Sequence, residues 1–268
     1  LLNANKELDF HMGKLNFQCV DCHTTHNHVI SGKVNTTYTE KTNASRFNCE
    51  KCHTEQPHKD PRLNKHTARV ACQTCHIPEF ARKLPTKMIW DWSKAGDSTR
   101  VDSPHEYLKI KGEFVYEEGV IPTYTWFNGK MDRYVIGDKL DGEEEHNMNH
   151  PLGSREDKNA KIWPFKVHHA SQPYDEVNNI IIPPITSGEG GYWTKFDWAY
   201  AISTGAKLNN LPYSGKYGFT KTKMYWPITH MVTTGKNALT CSDCHSKGGR
   251  LNWAELGYKN DPLQGPGK

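Results

Sequence analysis

The 268-residue chain carries 34 Lys and Arg against 30 Asp and Glu, a formal net charge of +4, and only 35% of its residues are hydrophobic. Soluble domains usually reach about 45–50% when glycine is counted, so side chains alone supply a thin core for this length. No run of the sequence approaches the roughly 20 apolar residues that span a bilayer. The composition excludes a transmembrane helix and leaves open what fills the interior.

Every cysteine belongs to a Cys-x-x-Cys-His motif. The four copies are Cys19, Cys22 and His23; Cys49, Cys52 and His53; Cys72, Cys75 and His76; and Cys241, Cys244 and His245. In this motif the two thiols form thioethers to a haem, and the histidine that follows binds its iron. Four copies with no cysteine left over predict four covalently bound haem c groups. Zinc or a disulfide framework is the alternative, but neither explains a histidine after every second cysteine.

The first three motifs lie close together and repeat a second histidine. His28 and His58 each follow the motif histidine by five residues. A Thr-rich connector with β-propensity, Val34–Ser45, separates the first two motifs and contains the glycosylation sequons Asn35-Thr36-Thr37 and Asn43-Ala44-Ser45. Asn64–Cys75 is predicted to form a short helix that runs into the third motif.

The Cys-free middle predicts a few strands and one helix. Glu113–Tyr116 and Ile121–Phe127 flank a turn and predict a β-hairpin, with a third strand at Met131–Ile136 and a helix at Phe196–Thr204. Its many aromatic residues suit a rigid shell over the macrocycles better than a redox relay. We therefore expect a multihaem cytochrome c fold, mostly irregular, with short α-helices and a small β-hairpin, organised around stacked haems. The expected regions are 1–96 with three haems, 97–225, and 226–268 with the fourth, as one cofactor-organised unit.

The sixth iron ligand decides between electron transfer and substrate chemistry, because a second histidine closes the iron. Eleven histidines lie outside the motifs. Position favours five of them as distal ligands: His11, His28, His58, His66 and His230. His168 or His169 is the reserve. Five candidates for four positions leave a surplus, which is either a structural histidine or a ligand for a haem of the next subunit.

Several stretches resemble a known family. They are Asp9-Phe10-His11-Met12-Gly13, Asn16–Cys19, Ala71–Ala81, Trp126–Gly129, Pro164–His168 and Trp226–Val232. Together they resemble the later, four-haem part of the octahaem tetrathionate reductase family of cytochromes c. The resemblance implies a haem-packing scaffold with ligands at His11, His28, His58, His66 and His230. The catalytic haem of that family uses Cys-x-x-Cys-Lys, which this sequence lacks, so the resemblance does not imply reductase activity.

We therefore predict an electron-transfer protein rather than an enzyme. The ligand surplus favours a subunit of an extracellular cytochrome filament, in which copies of the chain complete each other's haems. A soluble periplasmic carrier and a reductase of sulfur or nitrogen oxyanions with one open haem are the alternatives. Redox proteins or extracellular acceptors are the other expected partners. Each ferric haem adds roughly −1 charge, so the basic balance is no argument for nucleic acid. The sequence starts at Leu1 without a basic and apolar leader, which predicts an exported chain, periplasmic or extracellular, whose signal peptide has been removed.

Overall fold

The computed structural model describes residues 3–32, 36–37 and 47–265. Most of the Thr-rich connector, including the sequon residues Asn35 and Asn43, lies outside this part. Within the connector, the backbone of Thr36–Thr37 forms a two-residue strand. Among the described residues, no helix is long and apolar enough to cross a bilayer.

The helices are short. They are α1 Phe10–Lys14, α2 Cys19–Cys22, α3 Pro61–His66, α4 Cys72–His76, α5 Tyr192–Lys195, α6 Trp198–Leu208 and α7 Cys241–Cys244, with single 3-10 turns at Cys49–Lys51, Trp92–Lys94, Gly235–Asn237 and Pro262–Gln264. Every cysteine motif therefore forms one helical turn. Such a turn brings residues three apart to the same side, which places both thiols of a motif together beside its histidine.

The predicted helix Asn64–Cys75 is wrong in its middle. The helix α3 ends at His66, and α4 begins only at Cys72. Between them, the amide of Ala71 donates to the carbonyl of Ile162 at 3.0 Å, and the amide of Ile162 donates to Arg69 at 2.8 Å. These two bonds hold the linking residues extended against a strand, so tertiary pairing overrides the local helical pattern.

Thirteen strands are described, and most belong to one sheet. They are β1 Thr25–His26, β2 Val29–Ile30, β3 Thr36–Thr37, β4 Thr86–Asp91, β5 Tyr107–Leu108, β6 Gly112–Glu117, β7 Thr123–Phe127, β8 Lys130–Arg133, β9 Glu145–Asn147, β10 Asn149–Pro151, β11 Lys161–Asp175, β12 Ile180–Ile181 and β13 Tyr217–Pro227. The main sheet has eight strands in the order β5-β6-β4-β11-β13-β9, with β7 and β12 also paired to β11. Its centre is the antiparallel β11–β13 ladder, from Phe165 opposite Pro227 to Asp175 opposite Tyr217.

The expectation of only a small β-hairpin is therefore wrong in extent and in pairing. The two predicted strands exist as β6 and β7, but β6 pairs with β4 and β5, whereas β7 pairs with β11. The longest strand, β11, contains Pro164 and Pro173. Proline lacks the amide that a ladder needs, and it normally argues against a central strand. The predicted helix at Phe196–Thr204 is confirmed as α6, with Asp197 as its N-cap.

The side-chain core lies mainly in the sheet, the helix α6 and the C-terminal segment. Its three clusters are built around Trp126 and Ile162, around Ile182 and Ile202, and around Phe165. Among the described residues up to position 77, the buried hydrophobic side chains are Leu8, Ala71 and Ile77. The part that contains the first three motifs therefore has almost no apolar core of its own. The sheet crosses the two predicted region boundaries, because β4 pairs with β6 and β13 runs from 217 to 227.

Candidate metal-binding histidine pairs

Each of the four motif histidines faces one other histidine. The ring centres are 6.1 Å apart for His53 and His11, for His23 and His230, and for His76 and His58. They are 6.3 Å apart for His245 and His66. Four pairs thus use all four motif histidines and four of the five predicted distal candidates.

This spacing suits a metal ion between the two rings. Two imidazoles that bind one ion from opposite sides, with metal–nitrogen bonds of about 2 Å, have their ring centres about 6.2 Å apart. Aromatic rings in direct contact span about 4.5–7 Å, so the recurrence of this spacing at every motif histidine counts as well as the distance. Each pair also lies beside two thiols of one motif, and all eight cysteines are free of disulfides. The donor set of each pair would fit one haem group, with thioethers from the two cysteines of the motif and two imidazole nitrogens for its iron.

Backbone carbonyls orient several of these rings through the nitrogen that faces away from the partner. The Nδ1–H of His23 donates to the carbonyl of Ser31 at 2.8 Å, and that of His66 donates to Arg62 at 2.8 Å. His76 makes a longer bond to the carbonyl of Thr233, 3.4 Å. Such a bond fixes the tautomer, so that Nε2 keeps the lone pair that a metal needs.

His245 has a stronger partner than these carbonyls. Its Nδ1 lies 2.5 Å from Oδ1 of Asp261, whose side chain is only 6% exposed. The indole of Trp253 stacks on the His245 ring at 5.1 Å and 20°. A buried carboxylate behind a metal-facing imidazole is the arrangement that raises the basicity of a ligating histidine.

Asp9 ties two of the pairs together. Its buried carboxylate accepts the amide of Met12 at 3.1 Å as the N-cap of α1, which carries His11. The other carboxylate oxygen accepts the amides of Met231 and Val232 at 3.0 and 3.2 Å, directly after His230. One side chain thus positions the partners of two different motif histidines.

Successive motifs are neighbours in space. The thiol of Cys22 in the first motif has a raised pKa because of burial and then the thiol of Cys52 in the second. The neighbouring thiol of Cys72 in the third motif raises the pKa of Cys49 in the second. Burial, followed by Cys244 of the fourth motif, raises the pKa of Cys75 to about 12. These pKa shifts belong to the free thiols, and their causes agree with motifs that are neighbours in chain order.

Burial also lowers the pKa of two of the paired rings, those of His76 and His230. The pKa of His76 is lowered first by burial, which disfavours the imidazolium. A neutral imidazole is the form that binds a metal. The environment of His76 therefore agrees with a ligand role.

His28 is not brought to any motif histidine among the described residues. Asn27 and His28 have φ values of 47° and 63°, which form the tight turn between β1 and β2, and the His28 side chain is exposed. The equal offsets of His28 and His58 therefore lead to different surroundings. The reserve candidates lie in β11, where the Nδ1 of His169 meets Glu145 at 2.6 Å and the Nε2 of His168 is buried without a hydrogen-bond partner.

Sequence reasoning missed Asp9, Asp261 and Gly32. A Cβ on Gly32 would lie 2.3 Å from Nδ1 of His23, so only glycine leaves room for that ring. Asp9 comes directly before Phe10, the first residue of α1, and an aspartate at that position is a sequence signal for a helix N-cap. No local signal connects Asp261 with His245, because the two residues lie in different turns of an irregular segment.

Comparison with known proteins gives consistent findings. Residues 87–248 match the family described as bacterial cytochrome c, and residues 4–77 match the family of cytochrome c7 and related cytochromes c. The crystal structure of an octahaem cytochrome c from Shewanella oneidensis is 47% identical over 97% of this chain, with a TM-score of 0.90. The chain spans 62% of the length of that octahaem protein. The comparison with curated proteins found no match.

Proposed function

The chain belongs to the bacterial cytochrome c family, and we propose that it carries four haem c groups and conducts electrons through them. A multihaem cytochrome c with covalently bound haem iron is the common ground of both family matches and of the octahaem relative. The count of four rests on the motifs, which supply eight thiols and four histidines. Haem supplies a one-electron iron couple, and the protein supplies its ligands, spacing and electrostatics.

The histidine pairs support a specific assignment of axial ligands. His11 serves the group bound by Cys49 and Cys52, and His58 the group bound by Cys72 and Cys75. His66 serves Cys241 and Cys244, and His230 serves Cys19 and Cys22. The single observation that carries this assignment is the ring separation of 6.1–6.3 Å in all four pairs. With histidine on both sides, each iron is closed to substrates and transfers electrons only.

Contacts between the motifs support a single-file path. The thiols of the first and second motifs, of the second and third, and of the third and fourth are close enough to act on one another electrostatically, which supports their being neighbours. We propose that the four sites follow one another in chain order. Electrons then enter at one end of this series and leave at the other.

Spectroscopy of the purified holoprotein tests the number and state of the haems. We expect a mass increment of four haems per chain and a fully low-spin ferric spectrum. His66→Ala should convert one haem in four to a high-spin form, because its iron loses one imidazole. His28→Ala is the matched control and should leave all four low-spin. A His66→Ala protein with four low-spin haems would remove the assignment.

The octahaem relative supports a second candidate function. A chain that spans 62% of an octahaem cytochrome c can serve as the conducting part of a larger multihaem system, whose further haems do substrate chemistry. Reduction of a sulfur or nitrogen oxyanion would then need an iron outside the four pairs. Cyanide binding to the ferric holoprotein separates the two candidates. Tight binding to one of the four haems would identify an open iron within this chain.

Filament assembly stays a proposal. Under the assignment above, both positions of each iron are filled by histidines of one chain. Copies would therefore join through surface contacts and not through an exchanged haem ligand such as His28. Because haem c is attached outside the cytoplasm, we propose the periplasm or the cell exterior as the location. Electron microscopy of sheared extracellular material should show fibres of the wild-type protein. Monomers alone in the wild type would favour the soluble carrier.

A further inference from the structure

We propose that Asp261 is a positioning residue that lowers the reduction potential of the haem attached at Cys241 and Cys244. The inference rests on the proposed function, since it concerns one of the four bis-histidine sites. It goes further, because it assigns a tuning role to a carboxylate outside every motif.

The carboxylate of Asp261 is held by two hydrogen bonds and is shielded from solvent. Its Oδ1 accepts the Nδ1–H of His245 at 2.5 Å and the amide of Leu263 at 2.9 Å, as the cap of the turn Pro262–Gln264. Its side chain is 6% exposed and that of His245 is 15% exposed. Trp253 covers one face of the imidazole. Solvent therefore screens the interaction between the carboxylate and the ring only weakly.

Among the described residues, no other ring of the four pairs has a carboxylate on Nδ1. His23, His66 and His76 donate to neutral carbonyls, and the Nδ1 of His230 lies 3.1 Å from the hydroxyl of Thr229. The fourth motif thus differs from the other three in one respect, which is a full negative charge behind its motif histidine.

That charge favours the oxidised iron. The proton stays on Nδ1 and is shared strongly with Oδ1, so electron density moves towards Nε2 and strengthens the bond that this nitrogen makes. Adding one electron to the site lowers its charge by one unit, which a nearby buried carboxylate opposes. Hydrogen bonding to the ligand and burial are established means of tuning a haem potential.

Asp261→Asn removes the charge and keeps the shape. The amide oxygen of asparagine can still accept from His245 and from Leu263, so the turn and the ring position should persist. We expect the ferrous-to-ferric ratio of this haem, at a fixed potential, to rise about tenfold, from the weaker hydrogen bond of a neutral acceptor. For a one-electron couple, a tenfold change corresponds to about 59 mV. A potentiometric titration of the holoprotein should show one couple shifted upward and three unchanged.

Asp243→Asn is the matched control. Asp243 lies in the same motif, but its carboxylate accepts from the amide and the hydroxyl of Thr240 rather than from the histidine. The Asp243→Asn variant removes the same charge near the same haem. We expect it to shift the reduction potential of that haem by less than a third of the shift in Asp261→Asn. An equal shift in the control, or four unchanged couples in Asp261→Asn, would overturn the proposal.

A variant that adds a carboxylate tests at a second site whether a negative charge beside Nδ1 lowers the reduction potential. Thr229→Asp places a carboxylate beside Nδ1 of His230, so the potential of the haem at Cys19 and Cys22 should fall. This result decides the matter if Asp261→Asn fails to bind four haems, and an unchanged potential would then count against the proposal. A wild-type protein without four low-spin haems would instead contradict the proposed function.

Discussion

Asp9→Ala should destabilise the protein far more than the loss of an ordinary helix cap. The carboxylate is 4% exposed and accepts three backbone amides, from Met12, Met231 and Val232. Alanine leaves the last two of these amides without their acceptor in a partly buried site. A hydrogen bond to a charged group contributes about 1.5–3 kcal/mol, so we expect a loss of about 3–5 kcal/mol in the free energy of unfolding.

Denaturant titration of the holoprotein, followed by the Soret band, measures this loss. Asp197→Ala is the control, because Asp197 caps α6 through one bond to Tyr200 and its removal should cost about 1 kcal/mol. Asp9→Ala should also loosen two haems selectively, those served by His11 and His230, so that high-spin signal appears first at half of the irons. Equal stability losses in the two variants would refute the bridging role of Asp9, as would equal loosening of all four haems.

Three further predictions concern single positions and cofactor loading. Gly32→Ala should disturb the haem at Cys19 and Cys22, because the new Cβ would lie 2.3 Å from Nδ1 of His23. Gly215→Ala is the control, since Gly215 has a similar positive φ and a Cβ there would meet no atom within 4 Å. An equal effect of the two variants on the haem spectrum would contradict the clash. Burial, followed by Lys166, Lys87 and His169, lowers the pKa of His168 to about 4, well below the unfolded value of about 6.5. The folded state then binds fewer protons, so this stability is present above about pH 6.5 and is lost as the pH falls towards 4. After an allowance for partial solvent access, the free energy of unfolding of the wild type should fall by about 1–2 kcal/mol between pH 7 and pH 4.5 because of this group. His168→Gln should lack this contribution, and urea unfolding at the two pH values measures the difference. Without haem attachment, residues 3–32 and 47–66 should exchange amide hydrogens freely while β11 and β13 stay protected, because Leu8 is the one buried hydrophobic side chain in these two described ranges. Protection of these two ranges in the haem-free chain would contradict this expectation.

The sequence predicts which histidines lie opposite the motif histidines better than it predicts the fold around them. Four of the five predicted distal histidines face a motif histidine, and their role as haem ligands stays a prediction. The sheet was missed because β11 carries two prolines and its partner β13 lies more than 40 residues away. Pairing over that distance depends on tertiary packing, which strand propensity in a short window does not report.

Distance along the chain also misleads about which histidine serves which motif. His58 follows the second motif but faces His76 of the third, and His66 precedes the third motif but faces His245 of the fourth. In each pair, the facing ring comes from a segment outside the helical turn that carries the motif histidine. A search for the nearest histidine along the chain therefore does not find these pairs.

The same geometry makes the four sites one cooperative unit. His11 precedes the first motif and faces the histidine of the second motif. His58 follows the second motif and faces the histidine of the third, and His66 precedes the third motif and faces the histidine of the fourth. His230, just before the fourth motif, faces His23 of the first and closes the cycle across more than 200 residues of sequence. Under the proposed ligation, no segment completes its own haem. Each iron then cross-links two distant parts of the chain, which restricts the unfolded state as other long-range links do. The described residues up to position 77 contain only three buried apolar side chains. Under the proposed ligation they stay ordered because the haem groups connect their segments.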